Sequence, residues 1–194
     1  MKYILFVLVA LALISCQSKF PEKEFVGESS AQLLDQDSVS VNFPKAYRGK
    51  ILLVSFIFTN CPDICPLTTH NLQQIQQKVK KEKIQNVAFA AISFDPKRDT
   101  PSILKNFAEV RNLDLSNYNL FSGKKENITS LMQAFHIVAI AGDTTRTDDG
   151  EPVYFFTHTD RITLVDQEQN IRKSYRGSEI NLDEIINDIK NLED

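Results

Sequence analysis

The chain has 194 residues, of which 42% are hydrophobic and 24% charged, with a formal net charge of −3. That length suffices for one well-buried domain, and a slightly acidic balance does not suggest nucleic acid as a partner. Beyond the N-terminal leader, no segment is apolar enough to span a bilayer.

The leader itself is informative. Met1-Lys2 is a minimal positive start and Ile4 to Ile14 is unbroken apolar sequence, the length of a signal peptide and too short for a membrane span. It closes in Leu13-Ile14-Ser15-Cys16, which resembles the lipobox of bacterial lipoproteins. That resemblance implies removal of residues 1–15 and acylation of Cys16; an uncleaved anchor is the alternative. Either way the folded part lies outside the cytoplasm. Residues 16–28 are polar, carry Pro21 and read as a tether. The domain is expected over residues 29–194.

A first hairpin is expected from Ala31 to Asp35 and Val39 to Phe43, turning through Gln36-Asp37-Ser38. Ile51 to Phe58 is nearly all apolar, as in a strand covered on both faces. A helix follows over Leu67 to Lys83, with Leu72, Ile75 and Val79 in one buried stripe. Val87 to Phe94 is a second buried strand. It runs into Asp95-Pro96-Lys97-Arg98-Asp99-Thr100-Pro101, where Thr100 can cap a helix with Pro101 at its first position. That helix should reach Arg111 and bury Ile103, Leu104 and Phe107. A strand at Tyr118 to Phe121, a helix at Lys124 to Phe135 and an irregular stretch from Gly142 to Pro152 come next. Arg161 to Asp166 and Ile171 to Tyr175 form a hairpin, and Ser178 to Leu192 a last amphipathic helix. This order predicts an α/β fold of thioredoxin-like type: a central mixed sheet, flanking helices and an N-terminal β-hairpin.

The chemistry concentrates after the first central strand, in Thr59-Asn60-Cys61-Pro62-Asp63-Ile64-Cys65-Pro66. A strand-to-helix turn at a sheet's carboxyl edge is where α/β proteins place their sites. With Cys16 assigned to lipid, Cys61 and Cys65 are the only pair, and a disulfide closing so short a loop stabilises little. The pair therefore reads as redox-active, metal-binding or both. If the turn has begun to wind, the two thiols share one helix face. Asp63 between them is expected as a cap or turn residue.

Three histidines compete for a third ligand position. His70 lies about 140° round the helix from Cys65 and should be solvated. His136, at a helix end, suits packing or capping. His158 precedes the strand Arg161 to Asp166, in the loop that lies beside the cysteine turn of a thioredoxin-like sheet, where thioredoxins carry a cis-proline. Two thiolates and an imidazole form a soft, three-coordinate set suited to Cu(I), whereas zinc would want a fourth ligand.

Together, the cysteine motif, the segment Ser93-Phe94-Asp95-Pro96-Lys97-Arg98-Asp99-Thr100-Pro101 and His158-Thr159-Asp160-Arg161-Ile162-Thr163-Leu164-Val165-Asp166 resemble the Sco/SenC family. The resemblance implies a copper ion held by Cys61, Cys65 and His158. It further implies assistance in building the copper site of cytochrome c oxidase, by copper delivery, thiol reduction or both. The partner would be the copper-site subunit of that oxidase or another extracytoplasmic cuproprotein, met from a lipid-anchored position in a bacterial cell envelope. The alternative is a thiol-disulfide oxidoreductase acting through Cys61 and Cys65. Two positions depart from the family pattern. Ile57 stands where glycine is common, and Thr157 replaces an acidic residue before the histidine, leaving His158 without that orienting partner. Asp95 either approaches the site from the neighbouring strand or caps its own loop.

Overall fold

The computed structural model describes residues 20, 24–62, 64–142, 145, 146, 152, 153 and 156–193. In chain order its strands are β1 (Glu24–Phe25), β2 (Ala31–Asp35), β3 (Ser40–Phe43), β4 (Ile51–Ile57), β5 (Val87–Ser93), β6 (Tyr118–Gly123), β7 (Ala139–Ala141), β8 (Thr145–Arg146), β9 (Pro152–Val153), β10 (Phe156–His158), β11 (Ile162–Val165) and β12 (Asn170–Tyr175). The helices are α1 (Ile64–Lys81), α2 (Pro101–Val110), α3 (Lys125–Ala134) and α4 (Leu182–Lys190). Eight strands form one mixed sheet in the order β1-β12-β11-β4-β5-β6-β2-β3. Its centre is parallel, β4 with β5 and β5 with β6, and antiparallel strands extend it on both sides.

All seven residues of β4 and all seven of β5 are buried, which is why both read as continuous apolar runs rather than alternating ones. Leu72, Ile75 and Val79 bury the inner stripe of α1 as expected. The hairpin β2–β3 turns on Asp35, whose carboxylate accepts the amides of Asp37 and Val39 at 2.9 and 2.8 Å. Thr100 caps α2 by accepting the Ile103 amide, with Pro101 in the first turn.

Four expectations need correction. Ile103 is 43% exposed; Leu104, Phe107 and Ala108, spaced three and four apart, form the inward face and turn it out. The last helix opens at Leu182, not Ser178, because Asn181 is the cap while Ser178 is bonded to Asp160. Within the stretch read as irregular, Thr145–Arg146 pairs with Pro152–Val153. Part of the supposed tether belongs to the domain. Phe20 and Val26 are buried, and Glu24 and Phe25 pair with Ile171 and Asn170.

Residues 1–15 and Cys16 lie outside the described residues, as does Asp63. Among the described residues no helix is long and apolar enough to cross a membrane.

Leu72 is the fully buried anchor of the helix that carries the second cysteine, so Leu72→Ala should lower stability by about 2–5 kcal/mol. Urea unfolding should show a lower midpoint with an unchanged slope; a midpoint within experimental error of the parent would contradict this packing.

Candidate metal centre

The site sits at the carboxyl edge of β4. Helix α1 starts at Ile64, so Cys65 lies in its first turn and Cys61 lies before it. The two cysteines therefore do not share a helix face. They meet because the Cys61 sulfur takes the place of a capping side chain, accepting the Cys65 amide at 3.4 Å. The Cys65 sulfur in turn accepts the Phe58 amide at 3.5 Å. Each sulfur thus accepts one backbone N–H.

His158 arrives from β10, a short strand paired with β7 rather than the loop expected; Thr157 stands opposite Ile140 and His158 opposite Ala139. Its Nε2 lies 3.4 Å from the Cys65 sulfur. The ligand atoms of Cys61, Cys65 and His158 all fall within 4.8 Å of one another. The ring's other nitrogen, Nδ1, is 3.0 Å from the Thr159 carbonyl oxygen. A carbonyl only accepts, so Nδ1 carries a proton; in the neutral ring that leaves the Nε2 lone pair facing the sulfurs. The orienting role that an acidic residue before the histidine would play passes to the backbone just after it.

Aromatic rings hold the imidazole's plane. Phe94 lies 5.0 Å and Phe58 6.3 Å from the His158 ring, centroid to centroid. Phe156 packs edge-on against both phenylalanines at 5.2 and 5.1 Å. Beyond the ring, Asp160 ties the histidine's chain to α1. Its carboxylate accepts the Thr68 hydroxyl at 3.3 Å and the Ser178 amide at 2.9 Å. Gly177 allows this approach, since a Cβ there would sit 2.7 Å from Asp160 Oδ1 and 2.8 Å from Thr68 Oγ1.

Cys65 is buried at 1% exposure and Cys61 half-buried. Burial pushes the Cys65 thiol well above its ordinary pKa; the Phe58 amide opposes the shift, and the neighbouring Cys61 and Asp99 add to it. A thiol held protonated in this way must release its proton to solvent when its sulfur bonds a soft metal, so metal binding here is coupled to proton release.

The remaining candidates separate cleanly. His70 is exposed and 2.7 Å from the Gln74 side-chain nitrogen. His136 is exposed and pairs with the Glu24 carboxylate at 2.7 Å, so it neither packs in the core nor reaches the sulfurs. Asp95 organises its own loop. Its carboxylate pairs with Arg98, its carbonyl accepts the Arg98 and Asp99 amides, and it is absent from the converging group. The aromatic ring set and Asp160 escaped the sequence reading. Phe58 and Phe94 were visible as the residues ending two buried strands, a position that faces any site at that edge.

Comparison with known proteins gives the chain relatives of the same fold. The family model described as SCO1/SenC matches residues 22–194. A SCO1/SenC family lipoprotein from Bacillus anthracis is 29% identical, with a TM-score of 0.73 over 92% of this chain and 100% of that one. Bradyrhizobium japonicum ScoI with copper bound is 28% identical, with a TM-score of 0.69 over 84% of this chain and 97% of that one. BsSco, described as a member of the Sco family of cytochrome c oxidase assembly proteins with a disulfide switch, is 29% identical, with a TM-score of 0.67 over 84% and 91%.

The unequal burial of the sulfurs has a direct readout. Iodoacetamide at neutral pH should modify Cys61 about tenfold faster than Cys65 in reduced, metal-free protein, and Cys65 labelling should climb as pH rises and its proton leaves. Peptide mapping resolves the two sites. Equal rates, or a flat pH profile at Cys65, would show that the buried thiol is not held as described.

Proposed function

The chain belongs to the SCO1/SenC family, and from that premise we propose that it is a membrane-tethered, extracytoplasmic copper metallochaperone. Copper is its cargo, held by Cys61, Cys65 and His158, and its role is assembly of the copper site of cytochrome c oxidase. The observation that carries this reading is the convergence of two sulfurs and one imidazole nitrogen within 4.8 Å, with the ring's other nitrogen turned to the Thr159 carbonyl.

The donor set fits the cargo. Soft thiolates select Cu(I), which accepts three ligands, and two thiolates with one neutral imidazole leave the loaded site at a net charge of −1. The residues around the site hold the imidazole's tautomer and plane before any metal arrives, so little ordering remains when the ion binds. A relative with copper bound and another described among cytochrome c oxidase assembly proteins support the cargo and the recipient. The recipient is then the oxidase's copper-site subunit or a similar extracytoplasmic cuproprotein.

The leader supports the tether. Removal of residues 1–15 and lipid attachment at Cys16 would anchor the domain, whose sheet already includes Glu24 and Phe25, to the outside of a bacterial membrane, in keeping with the lipoprotein among the relatives. The strand Glu24–Phe25 shortens the free part of that tether.

A second reading has its own support: Cys61 and Cys65 are both free, adjacent thiols, and one relative is described by a disulfide switch. On this reading the pair reduces cysteines of an extracytoplasmic partner.

Anaerobic Cu(I) titration against a chromogenic chelator distinguishes the two. Wild type should bind one copper per domain, and Cys61→Ala, Cys65→Ala and His158→Ala should each weaken binding by at least about tenfold. If His158→Ala leaves affinity unchanged while the metal-free pair still reduces a disulfide substrate to its dithiol, itself becoming the Cys61–Cys65 disulfide, the oxidoreductase reading replaces the metallochaperone.

A further inference from the structure

We infer that Asp99 is the positioning residue that seats the cysteine turn on the end of the sheet and so sets where the two sulfurs stand. The role rests on the metal-site reading above, but it concerns the turn itself and can be read without metal.

Asp99 is 1% exposed. Among the described residues its carboxylate bonds neither helix α2, which Thr100 caps, nor a cation, and its hydrogen bonds there reach back to the ends of the two central strands. Oδ2 accepts the Thr59 amide at 2.9 Å and the Ser93 hydroxyl at 2.5 Å, and Oδ1 accepts the Thr59 hydroxyl at 2.5 Å. Burial raises this carboxyl above its ordinary pKa, and the bonds from Ser93 and Thr59 oppose the shift. Burying a carboxylate is costly unless its oxygens are satisfied, and here three donors, two from Thr59 and one from Ser93 at the end of β5, satisfy it.

The consequence follows from peptide planarity. The Thr59 N–H and the Phe58 C=O belong to one rigid unit. Asp99 grips the N–H side; the C=O side accepts the Cys61 amide at 3.3 Å. Phe58's own amide donates to the Cys65 sulfur. Holding the Phe58-Thr59 peptide therefore orients the acceptor of the Cys61 amide directly, and it anchors the Phe58 Cα from which the preceding peptide unit, carrying the donor to Cys65, extends. Ser93, at the end of β5, fixes Asp99 against the sheet, and the sheet becomes the reference frame of the site.

The geometry also specifies an informative variant. Asn at this position can place its carbonyl oxygen at Oδ2, accepting Thr59 N–H and Ser93 O–H, while its NH₂ donates to the Thr59 oxygen after a hydroxyl rotation. The charge is removed and the grip kept. Ala removes both.

Two readouts on the full-length protein test the role. The first is Cu(I) affinity by chelator competition. The second is the equilibrium in which the metal-free Cys61–Cys65 dithiol is oxidised to a disulfide by glutathione disulfide, itself reduced to two glutathione thiols. Asp99→Ala should weaken copper binding about tenfold and lower the disulfide-forming equilibrium constant about tenfold, because the sulfurs no longer stand together. Asp99→Asn should remain within about threefold of wild type in both. Asp99→Ala indistinguishable from wild type, or Asp99→Asn as impaired as Asp99→Ala, overturns the inference. If circular dichroism shows that Asp99→Ala has not folded, Thr59→Val replaces it; this deletes one of the three bonds and should cost about threefold in both readouts, and no effect overturns the inference. Should wild type fail to bind copper, the metallochaperone reading falls while the glutathione equilibrium still decides the role of Asp99.

Discussion

The site depends on one pairing, the parallel alliance of β4 and β5 in which Ile57 stands level with Ser93. Because the strands run the same way and end together, the two loops that follow them leave from adjacent points on one edge. The Phe94 amide still bonds the Ile57 carbonyl at 3.0 Å, so the ladder persists to the point where the loops diverge. One loop carries the cysteines, and the other carries the aspartate and phenylalanine that face them. The third component comes from across the sheet. β11 lies antiparallel to β4 with Ile162 opposite Ser55, which delivers the chain just before it, and with it His158, to the same edge. Ligands separated by 93 positions meet because three neighbouring strands share a boundary.

Around that edge the polar groups are used economically. Sulfurs accept amides that helix and turn geometry would otherwise leave without partners, which solves two problems with one set of contacts. The imidazole spends one nitrogen on a neighbouring carbonyl and keeps the other open. Phenylalanines fill the remaining space, excluding water from the buried sulfur while offering no competing donor. Such surroundings keep the free thiol protonated yet leave a soft cation well matched, so ordinary cations have little to gain there.

Much of this was legible in the residues. β4 and β5 announce themselves because strands covered on both faces need unbroken apolar sequence, and Thr100-Pro101 is a helix start that needs no tertiary information. Cys61, Cys65 and His158 could be singled out from residue type and topology. What escaped was set by contacts distant in sequence. Ser178 has the composition of a cap, but its hydrogen-bonding capacity went to Asp160, and the helix opened later at Asn181. Asp99 looks like one more polar loop residue until its partners, 40 and 6 positions away, are known. Phe20 and Val26 sit in a polar stretch, and their burial depends on β12, some 150 residues downstream, offering an edge to join.

That edge strand has a mechanical implication. Glu24 pairs with Ile171, Ile171 with Val165 and Val165 with Leu52, so the chain enters the fold in the row of Leu52. The sulfurs lie past the other end of the same strand, beyond Ile57, which at about 3.3 Å per residue is some 16 Å further along. On the tethered reading proposed above, leash and metal site stand at opposite ends of a stiff plate, and the plate itself adds to the distance at which a bound ion would be offered to a recipient.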